Sequence, residues 1–444
     1  MFILRDLLRP LQSAFSDTNL GRERAHWFVF VLLAILVPFT SSMTSNLLRS
    51  LQALFGLDIT RQRFYTFMAS PCLPWNALWT IIWQLIPEPL TDGRLLIALD
   101  DSVNNKCGRH IFGCGFFHDH TAKLNQPAYP WSQTIVCIGL LKQIKGRWCC
   151  LPLAFRFYLM KAMIQAQSVT TQIAGRSVPF QSKMTQAAQM LQSVASAFIG
   201  TPVLVIADSW FGNAGLFKPL SESAFEFQLL SRLRSNITLY ALPEARQPKQ
   251  RGRSRKYGRR LGSTTDVALE QQDKARAVSV FLYGKQREVM ACDQVVMLKN
   301  LRCQVRVVWV FRKTRWVALF TTDLTLSVQQ IIEYYGARWK IESGFKEIKQ
   351  EIGSAKSQVR NAHAVINHLN FCLMATTLTW IYADRIKPDP QRRHLVKGRT
   401  SFAFSDVRRL ITNAALSDDF IRLWPDRPKP PQNSFVSLLL RMVA

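Results

Sequence analysis

The first 92 residues carry apolar positions at helical spacing, in segments separated by Pro, Ser and short polar breaks. These segments are HWFVFVLLAILVPF, SNLLRSLQALFGL, RQRFYTFMA and WNALWTIIWQL. The apolar run from Trp27 to Phe39 is shorter than the roughly 20 residues that a membrane-spanning helix needs, and it continues into the polar SSMTSN. We therefore predict an amino-terminal helical bundle in which this run is buried.

Residues 93–235 alternate between short apolar strands and amphipathic helices. RLLIALDD is a strand that ends in acids, and QTIVCIGLLKQ and RWCCLPLAFRFYLM are strands joined by a turn at Lys145 and Gly146. A helix in SKMTQAAQMLQSVASAF, a buried strand in PVLVIAD, a helix in FGNAGLFKPLSES and a strand in FEFQLLSRL follow. This order predicts an α/β unit of three antiparallel strands, helix, strand, helix and strand.

The pattern changes over residues 236–320, where alternating stretches such as AVSVFLYG, VVMLKN and CQVRVVWVF predict a β-rich insertion. Residues 321–386 contain two helical segments, YYGARWKIESGFKEIKQ and the apolar AHAVINHLNFCLMATTLTWIYADRI, which we expect to complete the α/β unit. Residues 387–444 are mixed, with FSDVRRLI a short helix and RPKPP an extended segment.

The net charge of the chain restricts the kinds of molecule that we expect it to bind. The formal net charge is +28 and the isoelectric point is about 10.2, which favours a polyanionic partner, most often nucleic acid. A ribosomal-type structural protein or a membrane-surface protein would show the same charge. The hydrophobic content of 48% excludes wholesale disorder. Nine cysteines without a regular framework or a signal peptide favour a reducing cytosol.

The segment ARQPKQRGRSRKYGRRLG within the predicted insertion concentrates the positive charge and contains no acid. Its eight cations are Arg246, Lys249, Arg251, Arg253, Arg255, Lys256, Arg259 and Arg260. Like charges repel one another, so we expect this run to be disordered in the free protein and bound to phosphates in a complex. The alternative is a loop that only solvates the surface.

The segment YYGARWKIESGFKEIKQ places a phenol, two cations and a carboxylate on one helix face. Tyr335, Arg338, Glu342 and Lys349 fall within a sector of about 60° when successive residues turn by about 100°. A carboxylate flanked by cations is the chemistry wanted where a metal ion meets a phosphodiester. The alternative is a solvated charged stripe on a surface helix. A neighbouring sector carries the apolar residues that would seat the helix on the sheet, Ile341, Phe345, Ile348 and Ile352.

Two further acidic positions end apolar strands. Asp208 closes PVLVIAD, and a carboxylate at the carboxyl end of a buried strand points into the crevice where α/β folds bind ligands. A buried charge there requires a cation, although Asp208 could instead be the N-cap of a helix in the segment that begins SWFGN. Asp100 and Asp101 both end RLLIALDD; strand alternation places them on opposite faces and does not decide between them, because both faces look buried.

The spacing Tyr-x2-Arg-x3-Glu-x6-Lys resembles the signature of bacterial insertion-sequence transposases, the cut-and-paste DDE type with an RNase H-like catalytic core. All four residues match in spacing, and the similarity extends from about Leu95 to Ser357. That group uses the aspartate directly before a Ser or Thr, which favours Asp101 and leaves Asp100 as the second choice. The resemblance also implies that residues 1–92 bind DNA.

The resemblance assigns roles to the site residues. Asp101, Asp208 and Glu342 would hold two Mg²⁺ or Mn²⁺ ions, which three clustered carboxylates and their oxygen ligands favour. The phosphate-binding residues of the signature would be Tyr335, Arg338 and Lys349. Trp316, on a predicted strand of the insertion, matches a tryptophan that stacks on a flipped base in relatives that cut through a hairpin; a buried strand residue is the alternative.

We therefore expect a transposase that binds the terminal inverted repeats of its element, hydrolyses phosphodiester bonds at the ends and joins the 3′-hydroxyls to target DNA. A homodimer in a synaptic complex, a bacterial cytoplasm and association with the nucleoid rather than with a membrane are expected with it. The alternatives are a nuclease that cuts without joining and an inactive transposase-derived DNA-binding protein. The run from Trp27 to Phe39 motivates a membrane-associated protein as a further alternative.

One other group of potential metal ligands occurs in the sequence. Cys107, Cys114, His118 and His120 form C-x6-C-x3-H-x-H, which could hold zinc. The spacing matches no common zinc site. We therefore expect the cysteines to be small core residues and the histidines to be loop residues.

Overall fold

The computed structural model describes residues 3–119, 122–244, 253–313, 315–394, 401–417 and 420. The helices are α1 Ile3–Gln12, α2 Asn19–Leu36, α3 Thr44–Phe55, α4 Arg61–Met68, α5 Trp75–Leu85, α6 Lys161–Gln165, α7 Lys183–Ala195, α8 Ala214–Ser221, α9 Thr264–Gln271, α10 Val328–Lys346, α11 Ala362–Arg385 and α12 Phe404–Ala415. The strands are β1 Leu95–Asn105, β2 Cys114–Phe116, β3 Trp131–Ile144, β4 Arg147–Tyr158, β5 Gln172–Ile173, β6 Arg176–Ser177, β7 Val203–Ala207, β8 Phe227–Arg232, β9 Thr238–Tyr240, β10 Arg260–Ser263, β11 Arg276–Leu282, β12 Lys285–Leu298, β13 Cys303–Arg312 and β14 Arg315–Thr321.

The amino-terminal region is helical, as the apolar spacing predicted. Helices α1, α2, α4 and α5 pack against the long helix α11, α3 packs on α2 and α4, and α2 is buried along its apolar half. Two indole N–H groups fix α5 to α11: Trp75 Nε1 donates to Asn367 Oδ1 at 2.7 Å, and Trp79 Nε1 donates to Asn370 Oδ1 at 2.8 Å. These buried bonds satisfy polar groups that would otherwise destabilise the interior. The bundle is confirmed, and its role in DNA binding stays a prediction.

Helix α11 is the one described helix whose length and composition would suit a membrane span, and 94% of its most apolar window is buried inside the protein. The predicted burial of Trp27 to Phe39 holds over most of that run, since α2 is covered by its neighbours from Trp27 to Leu36. Burial of this kind is expected for core helices of a folded domain.

A mixed sheet of twelve strands forms the centre of the molecule, in the order β10-β9-β12-β13-β14-β8-β7-β1-β3-β2, with β4 on β3 and β11 on β12. β1 pairs in parallel with β7, and β7 in parallel with β8, while β1, β3 and β4 are antiparallel. The predicted order of three antiparallel strands, helix, strand, helix and strand is therefore confirmed. Helices flank the sheet, as an RNase H-like arrangement requires.

The hairpin between β3 and β4 has the predicted turn. Lys145 has φ 51° and Gly146 has φ 74°, so both central residues lie in the left-handed region. A two-residue hairpin turn of this hand matches the twist of the strands, and glycine adopts it without steric cost.

The predicted insertion extends the central sheet and forms no separate unit. β14 pairs with β8, with Leu319 opposite Arg232, so the strands from β9 to β14 continue the sheet beyond its α/β part. The sequence pattern predicted strands alone, and it missed helix α9. Ser263 and Asp266 form a capping box at the start of that helix, which satisfies its first free backbone N–H groups.

Candidate active site

Strand β1 separates its two acids onto opposite faces of the sheet. Asp101 accepts a hydrogen bond from Lys183 Nζ at 2.7 Å, and Lys183 begins helix α7. Asp100 Oδ2 lies 3.0 Å from Arg338 Nη1, and Arg338 belongs to helix α10. Successive strand residues point in opposite directions, so α7 covers the Asp101 face and α10 covers the Asp100 face.

The second aspartate lies beside Asp100. Leu99 pairs with Ala207 in the parallel register of β1 and β7, so the next positions, Asp100 and Asp208, are neighbours. Asp208 Oδ1 accepts the backbone N–H groups of Trp210 at 2.9 Å and Phe211 at 3.0 Å. Asp208 thus caps a turn and is not a helix N-cap, because helix α8 begins at Ala214 with Asn213 as its N-cap. These two bonds hold the carboxylate just after strand β7.

Glu342 reaches the same place from helix α10. Arg338 Nη2 lies 3.1 Å from Glu342 Oε1, so one guanidinium bridges Asp100 and Glu342. The side chain of Arg338 is 8% exposed, against 37% for Glu342. Arg338 therefore links Asp100 to Glu342, and Asp208 lies beside Asp100. The preference for Asp101 over Asp100 does not agree with this geometry, because Asp101 is turned toward α7.

Electrostatics mark Asp100 as the unusual acid of the group. Burial raises the pKa of Asp100 to about 7, the Arg338 guanidinium opposes this rise, and the charge of Asp208 adds to it. A carboxyl group in this setting is ionised more completely when another cation approaches. This influence of Asp208 follows from the parallel register, which places the two aspartates side by side.

The remaining signature residues occupy different environments. The Arg338 guanidinium lies 5.6 Å from the centre of the Tyr335 ring, and burial raises the pKa of Tyr335. Lys349 lies in a π-helical turn after α10, where its Nζ donates to Ser102 Oγ at 2.6 Å and Val103 O at 2.7 Å. Burial lowers the pKa of Lys349 to about 8. The structure thus holds Lys349 against β1, and its predicted contact with phosphate stays a prediction.

A groove of about 610 Å³ opens beside Asp208. Trp316, partly buried on β14, lines it together with Ser209 and two exposed arginines, Arg232 and Arg234. The charge of Arg232 also acts on the Tyr335 hydroxyl. The sequence interpretation missed both arginines. A signal was present, because parallel strands end at the same edge of a sheet and FQLLSRLR ends the strand next to PVLVIAD.

Comparison with protein families gives a match over residues 15–312, about two thirds of the chain, to the family described as DDE superfamily endonuclease. The chain belongs to this DDE endonuclease family. The matched range includes Asp100, Asp101 and Asp208 and ends before helix α10, so the Tyr-Arg-Glu-Lys signature rests on the sequence and the structure alone.

No curated protein matches the chain. A solved structure, the cryo-EM structure of a piggyBac transposase synaptic complex with hairpin DNA, is similar with 13% sequence identity and a TM-score of 0.41, covering 96% of this chain and 76% of that chain.

DDE endonucleases generally use divalent metal ions, and the acids of this chain suit them. Carboxylate oxygens are the ligands that Mg²⁺ and Mn²⁺ prefer, and Asp100, Asp208 and Glu342 supply them from three elements. Within the described ranges, no group of three or more His, Cys, Asp or Glu side chains is already arranged around one point. The cation between Asp100 and Glu342 is the Arg338 guanidinium.

The basic run of this DDE endonuclease is only partly described. Its described cations are all exposed, namely Arg253, Arg255, Lys256, Arg259 and Arg260. Arg246, Lys249 and Arg251 lie outside the described residues. Exposure is consistent with phosphate binding, which stays a prediction.

The zinc alternative finds no support in the described residues. Cys114 is buried in a small apolar cluster and Cys107 is exposed. The His118 ring lies 5.0 Å from the Tyr129 ring, and His120 lies outside the described residues. The part of the chain that is described brings no three such ligands together.

Proposed function

We propose that this DDE endonuclease is a DNA transposase, which cuts the ends of its element and joins the freed 3′-hydroxyls to target DNA. One observation carries the proposal. Asp100, in the middle of β1, lies beside Asp208, which directly follows the parallel strand β7, and Arg338 of helix α10 links Asp100 to Glu342. Three carboxylates from these elements form a site for metal-dependent phosphodiester chemistry.

Each residue of the site has a defined part in this function. Asp100, Asp208 and Glu342 would hold two Mg²⁺ or Mn²⁺ ions, which activate the attacking oxygen and stabilise the leaving oxygen of an in-line displacement. Arg338 can bind a phosphate through two nitrogens, and Arg232 adds charge on the groove side of Tyr335. The indole of Trp316 faces the same groove and would stack on a base there.

The partners follow from charge and chemistry. A net charge of +28 and the exposed basic run favour double-stranded DNA, with terminal inverted repeats and target DNA as the two substrates. Both ends of an element must be cut together, so the active form would be a homodimer in a synaptic complex. Because its substrate is DNA, we place the protein in the bacterial cytoplasm at the nucleoid.

The proposal is tested by cleavage of a labelled duplex that carries the terminal inverted repeat found beside the gene. Asp100→Asn, Asp208→Asn and Glu342→Gln should each abolish nicking in Mg²⁺ and in Mn²⁺, because one group of acids serves every step. Binding of the duplex should survive, since removing an acid reduces repulsion of phosphate. Asp101→Asn is the matched control, one residue away on the other face, and should retain cleavage.

The same assay separates a transposase from a nuclease that cuts without joining. Addition of a supercoiled target plasmid should yield a covalently joined product that depends on Asp100. Cleavage without any joined product would support the nuclease alternative. Full cleavage by Glu342→Gln would remove helix α10 from the active site and contradict the proposal.

A further inference from the structure

We propose that Arg338 holds the acid site closed to metal in the DNA-free protein, and that a DNA phosphate draws the guanidinium away and opens the site. This inference rests on the proposed function. It concerns the order of events at the site, since it makes the binding of DNA and of metal mutually dependent.

The guanidinium of Arg338 lies between two acids of the site. Arg338 Nη1 lies 3.0 Å from Asp100 Oδ2, and Arg338 Nη2 lies 3.1 Å from Glu342 Oε1. The planar fork thus uses two nitrogens on two different acids, the strong form of charge-assisted hydrogen bond. With 8% exposure, the side chain is largely shielded from water, which strengthens both contacts.

Arg338 and a divalent metal ion would compete for the same two carboxylates. A divalent ion bound by Asp100 and Glu342 would compete with the Arg338 guanidinium, which already bonds to Asp100 Oδ2 and Glu342 Oε1 and whose positive charge repels a cation. The other oxygen of Asp100, Oδ1, accepts the backbone N–H of Asp101 at 2.9 Å. In keeping with this, no three acids of the described chain converge on one point. Metal therefore enters with its full set of ligands only when the guanidinium leaves.

A phosphate of bound DNA offers the Arg338 guanidinium an alternative binding partner. Arg338 Nε is buried and has no hydrogen-bonding partner among the described residues, which is unfavourable for a charged donor. A phosphate oxygen would satisfy it, and arginine binds phosphate through paired nitrogens. The Tyr335 ring lies 5.6 Å from the Arg338 guanidinium, and the charge of Arg232 acts on the Tyr335 hydroxyl, so a phosphate bound beside Tyr335 would meet both arginines.

Linkage then gives a measurable consequence. If DNA removes Arg338 from the acids, DNA must raise the affinity for metal, and metal must raise the affinity for DNA by the same factor. Coupling between two sites usually amounts to about 5- to 150-fold. In a protein without the guanidinium, metal should bind tightly with or without DNA.

The test measures Mn²⁺ binding by electron paramagnetic resonance, without and with a short duplex, so that no cleavage is needed. Arg338→Met should bind Mn²⁺ at least about 5-fold more tightly than the wild type without DNA, the lower end of such couplings. Lys183→Met is the matched control, because it removes a cation paired to Asp101 on the opposite face. It should leave Mn²⁺ affinity nearly unchanged.

Thermal unfolding of each variant checks that it is folded. Arg338→Lys is a second variant, which keeps the positive charge and removes the planar pair of N–H donors. Arg338→Lys should also gain Mn²⁺ affinity. The wild type could bind Mn²⁺ through Asp100 in the presence of DNA while both Arg338 variants bind Mn²⁺ no more tightly than the wild type. That result would overturn this inference and leave the proposed function intact. No Asp100-dependent binding under any condition would instead refute the proposed metal site.

We infer separately that an internal water molecule is bound between β1 and the segment after helix α10. A cavity of about 20 Å³ lies there. Three of its lining atoms are buried polar atoms without a hydrogen-bonding partner in the described protein, Asn104 Oδ1, Ser354 Oγ and Ser357 Oγ. A cavity of this size holds one water, and a buried water needs two to four polar partners.

Lys106 completes the polar lining of this cavity. Its Nζ donates to Ala355 O at 3.0 Å and Ser357 O at 2.7 Å, which leaves a third proton for a further acceptor. A water molecule could accept from Lys106 and a serine and donate to Asn104 Oδ1. It would tie the end of β1 to the turn Ser354–Lys356.

A crystal structure at high resolution tests this second inference. A single ordered water within hydrogen-bond distance of at least two of Asn104, Ser354 and Ser357 is expected, and Ser354→Val should displace it. An empty cavity with these side chains unmoved would overturn the inference. Anomalous scattering at the same point after a bromide soak would identify an anion site and overturn it as well.

Discussion

Glu347 gives the sharpest test of the electrostatics in this fold. It begins the π-helical turn after α10, and its Oε2 accepts a hydrogen bond from Trp380 Nε1 at 3.1 Å. Burial raises the pKa of Glu347 from 4.5 to about 7, although Arg147, the Trp380 bond and Lys340 oppose the rise. In the folded protein this carboxyl group therefore retains a proton that the unfolded chain releases.

The sign and size of the effect follow from this difference. A raised folded-state pKa contributes stability that is present below pH 4.5 and is lost as the pH rises toward 7. The pKa values of Glu347 in the folded and unfolded states differ by 7 − 4.5 = 2.5. At about 1.36 kcal/mol for each pKa unit, this difference corresponds to roughly 3 kcal/mol in the free energy of unfolding. Glu347→Gln keeps the shape and an acceptor for Trp380 and cannot ionise.

The measurement is urea-induced unfolding of the wild type and Glu347→Gln at several pH values from 4.5 to 7.5. The variant should gain roughly 3 kcal/mol relative to the wild type across this range. Glu270→Gln, which replaces an exposed carboxyl group on helix α9 away from this turn, is the control and should follow the wild type. Parallel curves for the wild type and Glu347→Gln would refute the buried, protonated state of Glu347.

Three further predictions concern DNA. Replacing the exposed cations of the basic run by Gln should weaken binding to all sequences and flatten the slope of log K against log salt by roughly 0.9 per lost contact; an unchanged slope would show that the run does not touch DNA. Trp316→Ala should cost roughly 1–3 kcal/mol in a step that flips a base, measured as the rate of hairpin formation, with end-binding retained; global unfolding would instead identify a core residue. Lys349→Met should slow cleavage without changing the salt slope, because its amine is bonded to Ser102 and Val103; a slope reduced by roughly 0.9 would restore its predicted phosphate contact.

Local sequence patterns predicted the local parts of this fold well. The helices of the amino-terminal region and the β3–β4 hairpin depend on periodicity and turn residues within a few positions of one another. The pairing of β14 with β8 joins residues far apart in the chain, such as Phe320 and Ser231, and no local pattern encodes it. Helix α9 was missed although its capping box, Ser263 to Asp266, is legible in the sequence.

The choice between Asp100 and Asp101 shows where sequence reasoning stops. Alternation predicted that they face opposite sides, and the structure confirms this. It could not say which side meets helix α10, because helices cover both faces of β1 and leave both acids partly buried. The preference for the aspartate before Ser102 came from resemblance alone. The deciding fact is the side on which α10 packs.

The four-residue stripe of the signature was also only partly predictable. A turn of about 100° per residue describes α10 through Lys346, and it places Tyr335, Arg338 and Glu342 together as observed. The chain then widens into a π-helical turn from Glu347 to Glu351, where that angle no longer applies. Lys349 nevertheless reaches the same face of β1 as Arg338, because its partner Ser102 lies two residues beyond Asp100.

The four-residue spacing of Arg338 and Glu342 allows the Arg338 guanidinium to contact two acids at once. Residues four apart on a helix are neighbours, so Arg338 can reach Glu342 with one nitrogen while the other reaches across to Asp100. A lysine at this position would offer one compact charge, which cannot form the same planar pair of contacts to a strand and a helix. The arginine thus links the acid of the strand to the acid of the helix, and the same fork suits a phosphate. An Arg-x3-Glu pair placed over an aspartate in the middle of a strand is therefore suited both to linking the two acids and to releasing them when the arginine binds a DNA phosphate.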